Sequence, residues 1–142
     1  MRRRCGRALV HSLLLVCLLA SGALLAGTGR RAAAGPLKWD DIRNPYEGDA
    51  QAVAEGRELF VERCSFCHGT LGRGAKGPCL SCGHYFYRGG SNAQLFATIT
   101  AGIPGGQMGA FASSLTGDQI WKIIAFLRDQ TRQDHPEALS QD

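Results

Sequence analysis

Apolar residues recur at helical spacing in three stretches of the chain. The clearest holds Ile120, Trp121, Ile123, Ile124, Phe126 and Leu127, a broad apolar face that predicts a helix ending near Arg132. Thr116-Gly-Asp-Gln119 opens it as a capping box, with Leu115 and Ile120 placed to form a hydrophobic staple. A second face, Val53, Gly56, Leu59 and Phe60, predicts a helix from Ala50 to about Arg63 with Asp49 as candidate N-cap. Gly56 inside that helix has two readings: close approach of another backbone or ring, or simple tolerance at a cost of about 1 kcal/mol. The third stretch, Leu95, Phe96 and Ile99, follows the capping box Ser91-Asn-Ala-Gln94 and stops at Gly102. No run alternates as a strand would, and no segment repeats. The pattern is all-α.

Between these helices the chain is loop. Residues 64–108 carry ten glycines in 45 positions, with one helix expected to interrupt them. Residues 35–49, with Pro36, Pro45 and Gly48, read as an extended N-terminal arm whose Trp39 and Tyr46 pack onto the body. Residues 133–142 are polar and read as a frayed tail. Three helices and long glycine loops make a thin core, of the kind that needs a staple, a metal or a cofactor.

Charge changes the picture once it is sorted by position. The whole chain has 16 Lys and Arg against 12 Asp and Glu, a formal charge of +4. Six of the basic residues lie in residues 1–34, where Arg2, Arg3, Arg4 and Arg7 precede an apolar run from Ala8 to Ala26 and the small-residue site Ala32-Ala33-Ala34. That layout is a secretory leader cleaved after Ala34. The alternative is an uncleaved anchor, since about 17–25 apolar residues suffice to span a bilayer. Without the leader, ten basic residues face twelve acidic ones, so the working part of the chain is mildly acidic. A basic nucleic-acid surface loses its support, and a membrane contact is expected only if the leader is kept. Four cysteines remain, Cys64, Cys67, Cys79 and Cys82, in a chain bound for an oxidising compartment, the bacterial periplasm.

Cys64-Ser65-Phe66-Cys67-His68 is a C-x-x-C-H run, the signature of covalent c-type haem attachment. Two thiols on one turn reach both vinyl groups as thioethers, and the adjacent His68 binds the iron. A sixth iron ligand is Met or His. Met108 is the one methionine outside the leader. It lies in Gly102-Ile-Pro-Gly-Gly-Gln-Met108-Gly-Ala-Phe111, a stretch too rich in Gly and Pro for the helical core where a filler Met belongs. His84 and His135 are the alternatives.

The order of these motifs resembles the small class I cytochromes c. It runs from a helix with Gly56-x-x-Leu59-Phe60 to C-x-x-C-H and Gly77-Pro78-x-Leu80. The Met108-x-x-Phe111 loop and the Trp121-x-x-Ile-Ala-Phe126-Leu-Arg helix complete it. The resemblance spans about residues 50–132. It implies an all-α class I cytochrome c fold, about three main helices wrapped around one covalently attached haem c. It implies haem contacts at Cys64, Cys67, His68, Pro78, Leu80, Met108 and Phe111, with His68 and Met108 as axial ligands. The Pro78 carbonyl would accept a hydrogen bond from His68, and Gly56 or Phe60 would meet Phe126. The wider pattern, with Asn44-Pro45-Tyr46 and the Gly-x-Gly-x-Lys-Gly-Pro-Cys-Leu run, is similar to cytochromes that serve PQQ-dependent alcohol dehydrogenases in methylotrophs. It implies an electron carrier, not an enzyme. Its partners would be redox proteins: such a dehydrogenase as donor, and a terminal oxidase or another cytochrome as acceptor.

Cys79-Leu-Ser-Cys82 departs from that family's pattern. His84 follows Cys82 by two residues, not one, so a second haem is not implied. A disulfide is the plainest state outside the cytoplasm; free thiols or a redox-active pair are the others. A four-cysteine zinc module, from Cys64, Cys67, Cys79 and Cys82, is the non-haem alternative. A small haem enzyme or ligand sensor is another, and needs a labile sixth ligand. The glycine run 69–77 is no phosphate loop, because it follows no strand and Lys76 is not followed by Ser or Thr. Arg73, Lys76 and Arg88 are the cations expected near a docking face.

Overall fold

The computed structural model describes residues 38–85 and 88–139, which belong to a unit spanning Pro36–Asp142. The leader expected over residues 1–34 lies outside the described residues. Helix α1 covers Ala50–Arg63, where the Asp49 carboxylate accepts from the Gln51 and Ala52 amides. Helix α2 is the single turn Ser65–His68. Helix α3 covers Asn92–Ala101 and α4 covers Gly117–Asp134. Both carry complete capping boxes, Ser91 with Gln94 and Thr116 with Gln119. Each box satisfies two of the amides that a helix start otherwise leaves without partners. No strand occurs among the described residues, so the fold is all-α, as the sequence predicts.

The core forms where α1 and α4 cross. Phe60 of α1 and Ile120, Ile123, Ile124, Phe126 and Leu127 of α4 are buried in one cluster with Leu95 and Ile99 of α3. The Phe60 and Phe126 rings lie with centroids 5.3 Å apart, tilted by 49°. Leu115 and Ile120 join the same cluster, as a staple requires. Gly56 is buried at the crossing against the Lys122 carbonyl. Of its two sequence readings, close approach is the one observed, and its partner is the α4 backbone rather than Phe126.

The ends of the unit differ from expectation. Residues 38–49 are folded, not simply extended. A 3-10 turn spans Trp39–Asp41, and Asn44, only 4% exposed, donates from Nδ2 to the Trp121 carbonyl at 2.9 Å. Tyr46 packs as predicted: its hydroxyl donates to Asp118, and its ring lies 5.3 Å from the Lys122 ammonium. Trp39 does not, being 74% exposed. The tail is not frayed at residue 133. Helix α4 continues to Asp134, and a 3-10 turn, Pro136–Leu139, places Ala138 against Gly83. Two partners absent from the local pattern cause this: Arg73 clasps Asp134 with two hydrogen bonds, and Gly83 has no side chain to keep Ala138 away. No helix among the described residues is long and apolar enough to cross a membrane.

Candidate haem site

Helix α1 delivers the motif. The Cys64 amide donates to Phe60 O at 2.8 Å, so Cys64 is both the last cap of α1 and the first of α2. The Cys67 and His68 amides both donate to Cys64 O, at 3.2 and 3.0 Å. This one turn sets Cys64 and Cys67 three residues apart on one helix face. Both are half-buried and neither is in a disulfide. Cys64 also packs on the core, and burial pushes its thiol up to about 11, so it is protonated at neutral pH.

His68 is 9% exposed, and its ring is held from one side. A carbonyl can only accept, so Nδ1–H donates to Pro78 O, at 2.9 Å. The proton is thereby on Nδ1, and the Nε2 lone pair is left for a metal. The backbone that carries Pro78 comes very close. A Cβ on Gly77 would lie 2.8 Å from the His68 ring carbon Cε1, and the Gly77 amide donates to Cys67 O at 2.7 Å. Further along, the Leu80 and Ser81 amides converge on Gly72 O, at 2.6 and 3.1 Å, and Cys79 is disulfide-bonded to Cys82.

Leu80, Met108 and Phe111 are half-buried and pack against the same apolar cluster as Cys64. The Met108 loop turns back on α3. Gly102, at φ +68°, leaves the helix with the Ala110 amide so near that a Cβ would stand 2.6 Å from it. Ile103 N donates to Met108 O at 2.9 Å, and Phe111 N to Ile99 O at 3.1 Å. The other two candidate ligands are placed differently. His84 is exposed, and His135 caps the end of α4 with Nδ1 3.5 Å from Glu137.

These residues fit a covalently bound haem. One turn holds two thiols and a buried imidazole with its tautomer set, and a thioether sits in a loop folded onto the same core. They do not fit the zinc module, because the disulfide removes two of its four ligands. No group of three or more metal-ligating side chains occurs among the described residues.

Of the cations expected near a docking face, Arg73 is committed to Asp134. Lys76 lies 4.1 Å over the ring of Phe66, a side chain 76% exposed, and Arg88 is exposed. Arg128 closes the motif of the last helix, but the sequence assigned it no role. It is buried on α4 and donates to Asn92 Oδ1 at 3.0 Å and to Gly90 O. Its place four residues after Ile124, on the apolar face, was the available signal.

Comparison with known proteins finds c-type cytochromes. The family model described as cytochrome C oxidase, cbb3-type, subunit III matches residues 51–127. Cytochrome c-L of Methylorubrum extorquens is 37% identical over 86 residues, covering 60% of this chain and 43% of that protein. A cbb3-type cytochrome c oxidase subunit CcoP of an Azospirillum species is 36% identical over 101 residues, covering 62% and 34%. Among solved structures, cytochrome cL from the marine methylotroph Methylophaga aminisulfidivorans superposes with a TM-score of 0.58 at 34% identity, covering 63% of this chain and 66% of that one. Cytochrome cL from Hyphomicrobium denitrificans gives 0.56 at 31%, covering 66% and 62%. In each case the chain spans less than two thirds of the relative's length.

Proposed function

The chain belongs to the c-type cytochrome family described as cytochrome C oxidase, cbb3-type, subunit III, and from that premise we propose that it is an exported monohaem carrier of single electrons. It carries haem c, joined by thioethers at Cys64 and Cys67 and ligated by His68 and Met108. When bound, the haem supplies a one-electron Fe(II)/Fe(III) couple. The protein's own residues do the rest. The Pro78 carbonyl orients the His68 ring and raises its basicity. Leu80, Met108 and Phe111 pack on the core and would keep water from the iron. The Met108 thioether and a neutral imidazole favour a relatively high potential and leave no site for substrate.

The observation that carries this reading is the His68 Nδ1–Pro78 O hydrogen bond inside a C-x-x-C-H turn. A pyridine haemochrome spectrum of the purified protein tests it. The expected result is one haem per chain with the α-band of two thioethers. A spectrum without haem overturns it.

The finer reading concerns partners and place. The Asn44-Pro45-Tyr46 motif and the likeness to proteins named cytochrome c-L support a PQQ-dependent alcohol dehydrogenase as donor. The cbb3-type oxidase subunits among the relatives support a terminal oxidase as acceptor. The leader-like residues 1–34 and the Cys79–Cys82 disulfide support a periplasmic location. An electron carrier meets such partners through a small, short-lived interface, often under about 1,200 Å². Mixing the oxidised protein with the dehydrogenase and its alcohol should reduce the haem within a turnover, and no reduction would remove that donor.

A further inference from the structure

The carbonyl that holds His68 belongs to a residue with few ties of its own. Pro78 has no N–H to anchor it. On its N-terminal side the chain is tied by the Gly77 amide to Cys67 O. On its C-terminal side the next residue is Cys79, whose sulfur is bonded to Cys82, and the first backbone anchor is the Leu80 amide, which donates to Gly72 O at 2.6 Å. Cys82 in turn follows Ser81, which is 1% exposed and bonded through its amide to Gly72 O. The disulfide therefore joins the residue after Pro78 to a buried, hydrogen-bonded stretch of backbone.

We propose that the Cys79–Cys82 disulfide is a positioning element for electron transfer: it holds the Pro78 carbonyl on His68 Nδ1 and so sets the basicity of the iron-binding ring. This rests on the reading above that His68 ligates the iron. A short hydrogen bond from Nδ1–H to a carbonyl increases electron donation through Nε2, which favours the ferric state. Opening the disulfide lets Pro78 drift, weakens that bond and raises the potential. Opening it with a dithiol is a balanced exchange. The Sγ–Sγ bond gains two electrons and two protons to give two thiols, and the dithiol closes to its own disulfide.

The test compares three forms of the full haem-loaded protein. One is native, one is the double variant Cys79→Ser, Cys82→Ser, and one is native protein opened with dithiothreitol and capped with iodoacetamide. The capped form keeps the test open if the variant folds poorly, and Cys64 and Cys67 are protected as thioethers. Spectroelectrochemistry reads the ferrous-to-ferric ratio at a fixed poise, and proton NMR of the ferrous form reads the His68 Nδ1–H resonance. Loss of an outer hydrogen-bond partner commonly changes metal-site properties by about tenfold or more. The expected result is about a tenfold rise in that ratio in both altered forms, with an upfield move of the Nδ1–H signal. An unchanged ratio and resonance, with His68 ring signals still shifted by the haem ring current, overturns the positioning role alone, even if the melting temperature falls. Absence of ring-current-shifted His68 signals in the native ferrous protein overturns the ligand assignment and this role together.

Discussion

Gly56 of α1 lies so close to Lys122 of α4 that a Cβ on the glycine would stand 2.0 Å from the Lys122 carbonyl oxygen. The atom it meets is helix backbone, which cannot swing aside. Alanine at this position should gain about 1 kcal/mol from helix propensity and lose about 3 kcal/mol to overpacking. Crowding therefore wins. Gly56→Ala is expected to destabilise the holoprotein by about 2 kcal/mol, a fall of about 10 °C in Tm for a domain of this size. Thermal unfolding followed by circular dichroism measures it, and an equal or higher Tm would show that the helices can part at no cost.

How much of this was legible in the sequence depends on the range of each interaction. The starts of α3 and α4 were readable because their capping boxes are complete within four residues. The C-x-x-C-H turn is equally local. The partner of Gly56 was not readable, because glycine marks a close approach without saying what approaches. The clasp of Arg73 on Asp134 joins residues 61 positions apart, and nothing in the polar run after Arg132 signals it. Trp39 failed for the opposite reason: an aromatic residue earns burial only if a surface meets it, and the sequence does not say where the 3-10 turn points its side chain.

Gly77 makes a close contact of its own, at the His68 ring. A methyl group here would lie 2.8 Å from Cε1 and 3.0 Å from Nδ1. The ring or the Pro78 carbonyl must yield, and either movement lengthens the hydrogen bond between them. Gly77→Ala should cost about 1–3 kcal/mol of stability, lower the yield of haem-loaded protein and raise the potential. Reading the potential alongside Tm separates the loss of orientation from plain crowding, since a fall in Tm at constant potential would mean that the hydrogen bond had survived.

Met108 distinguishes an electron carrier from a ligand-binding haem protein. With the Met108 thioether as the proposed sixth ligand, the native protein should bind carbon monoxide slowly at neutral pH. Met108→Ala should bind it rapidly in the ferrous state and shift the potential downward. Truncating this half-buried side chain also costs stability, about 2 kcal/mol at the low end of such losses. Flash photolysis and the visible spectrum check both effects. An unchanged spectrum would move the ligand assignment to His84, and rapid binding by the native protein would favour the enzyme or sensor reading.

The pH dependence of stability follows from three carboxylates that hold partners. The hydrogen bond from Arg73 holds Asp134 below its ordinary value of 3.8. Those from Tyr46 and Lys122 do the same for Asp118, and those from Lys122 and Gln51 for Glu55, below 4.5. A carboxyl depressed in the folded state contributes stability that is present above its unfolded pKa and lost as pH falls through the folded one. Lys122 is shifted the other way, upward from 10.5, by Glu55 and then Asp118. Its contribution is full below 10.5 and is lost only at higher pH. Tyr46, raised from 10.0 chiefly by its bond to Asp118, behaves alike. The holoprotein should therefore show a stability plateau from about pH 5 to 9 with losses on both sides. Asp134→Asn should lower the urea midpoint on the plateau and make the acid fall shallower, because one of the groups that must be protonated is gone. Urea midpoints at neutral pH and in steps below pH 4 check this. An acid limb as steep in the variant as in the native protein would mean that the Arg73–Asp134 clasp adds nothing in solution.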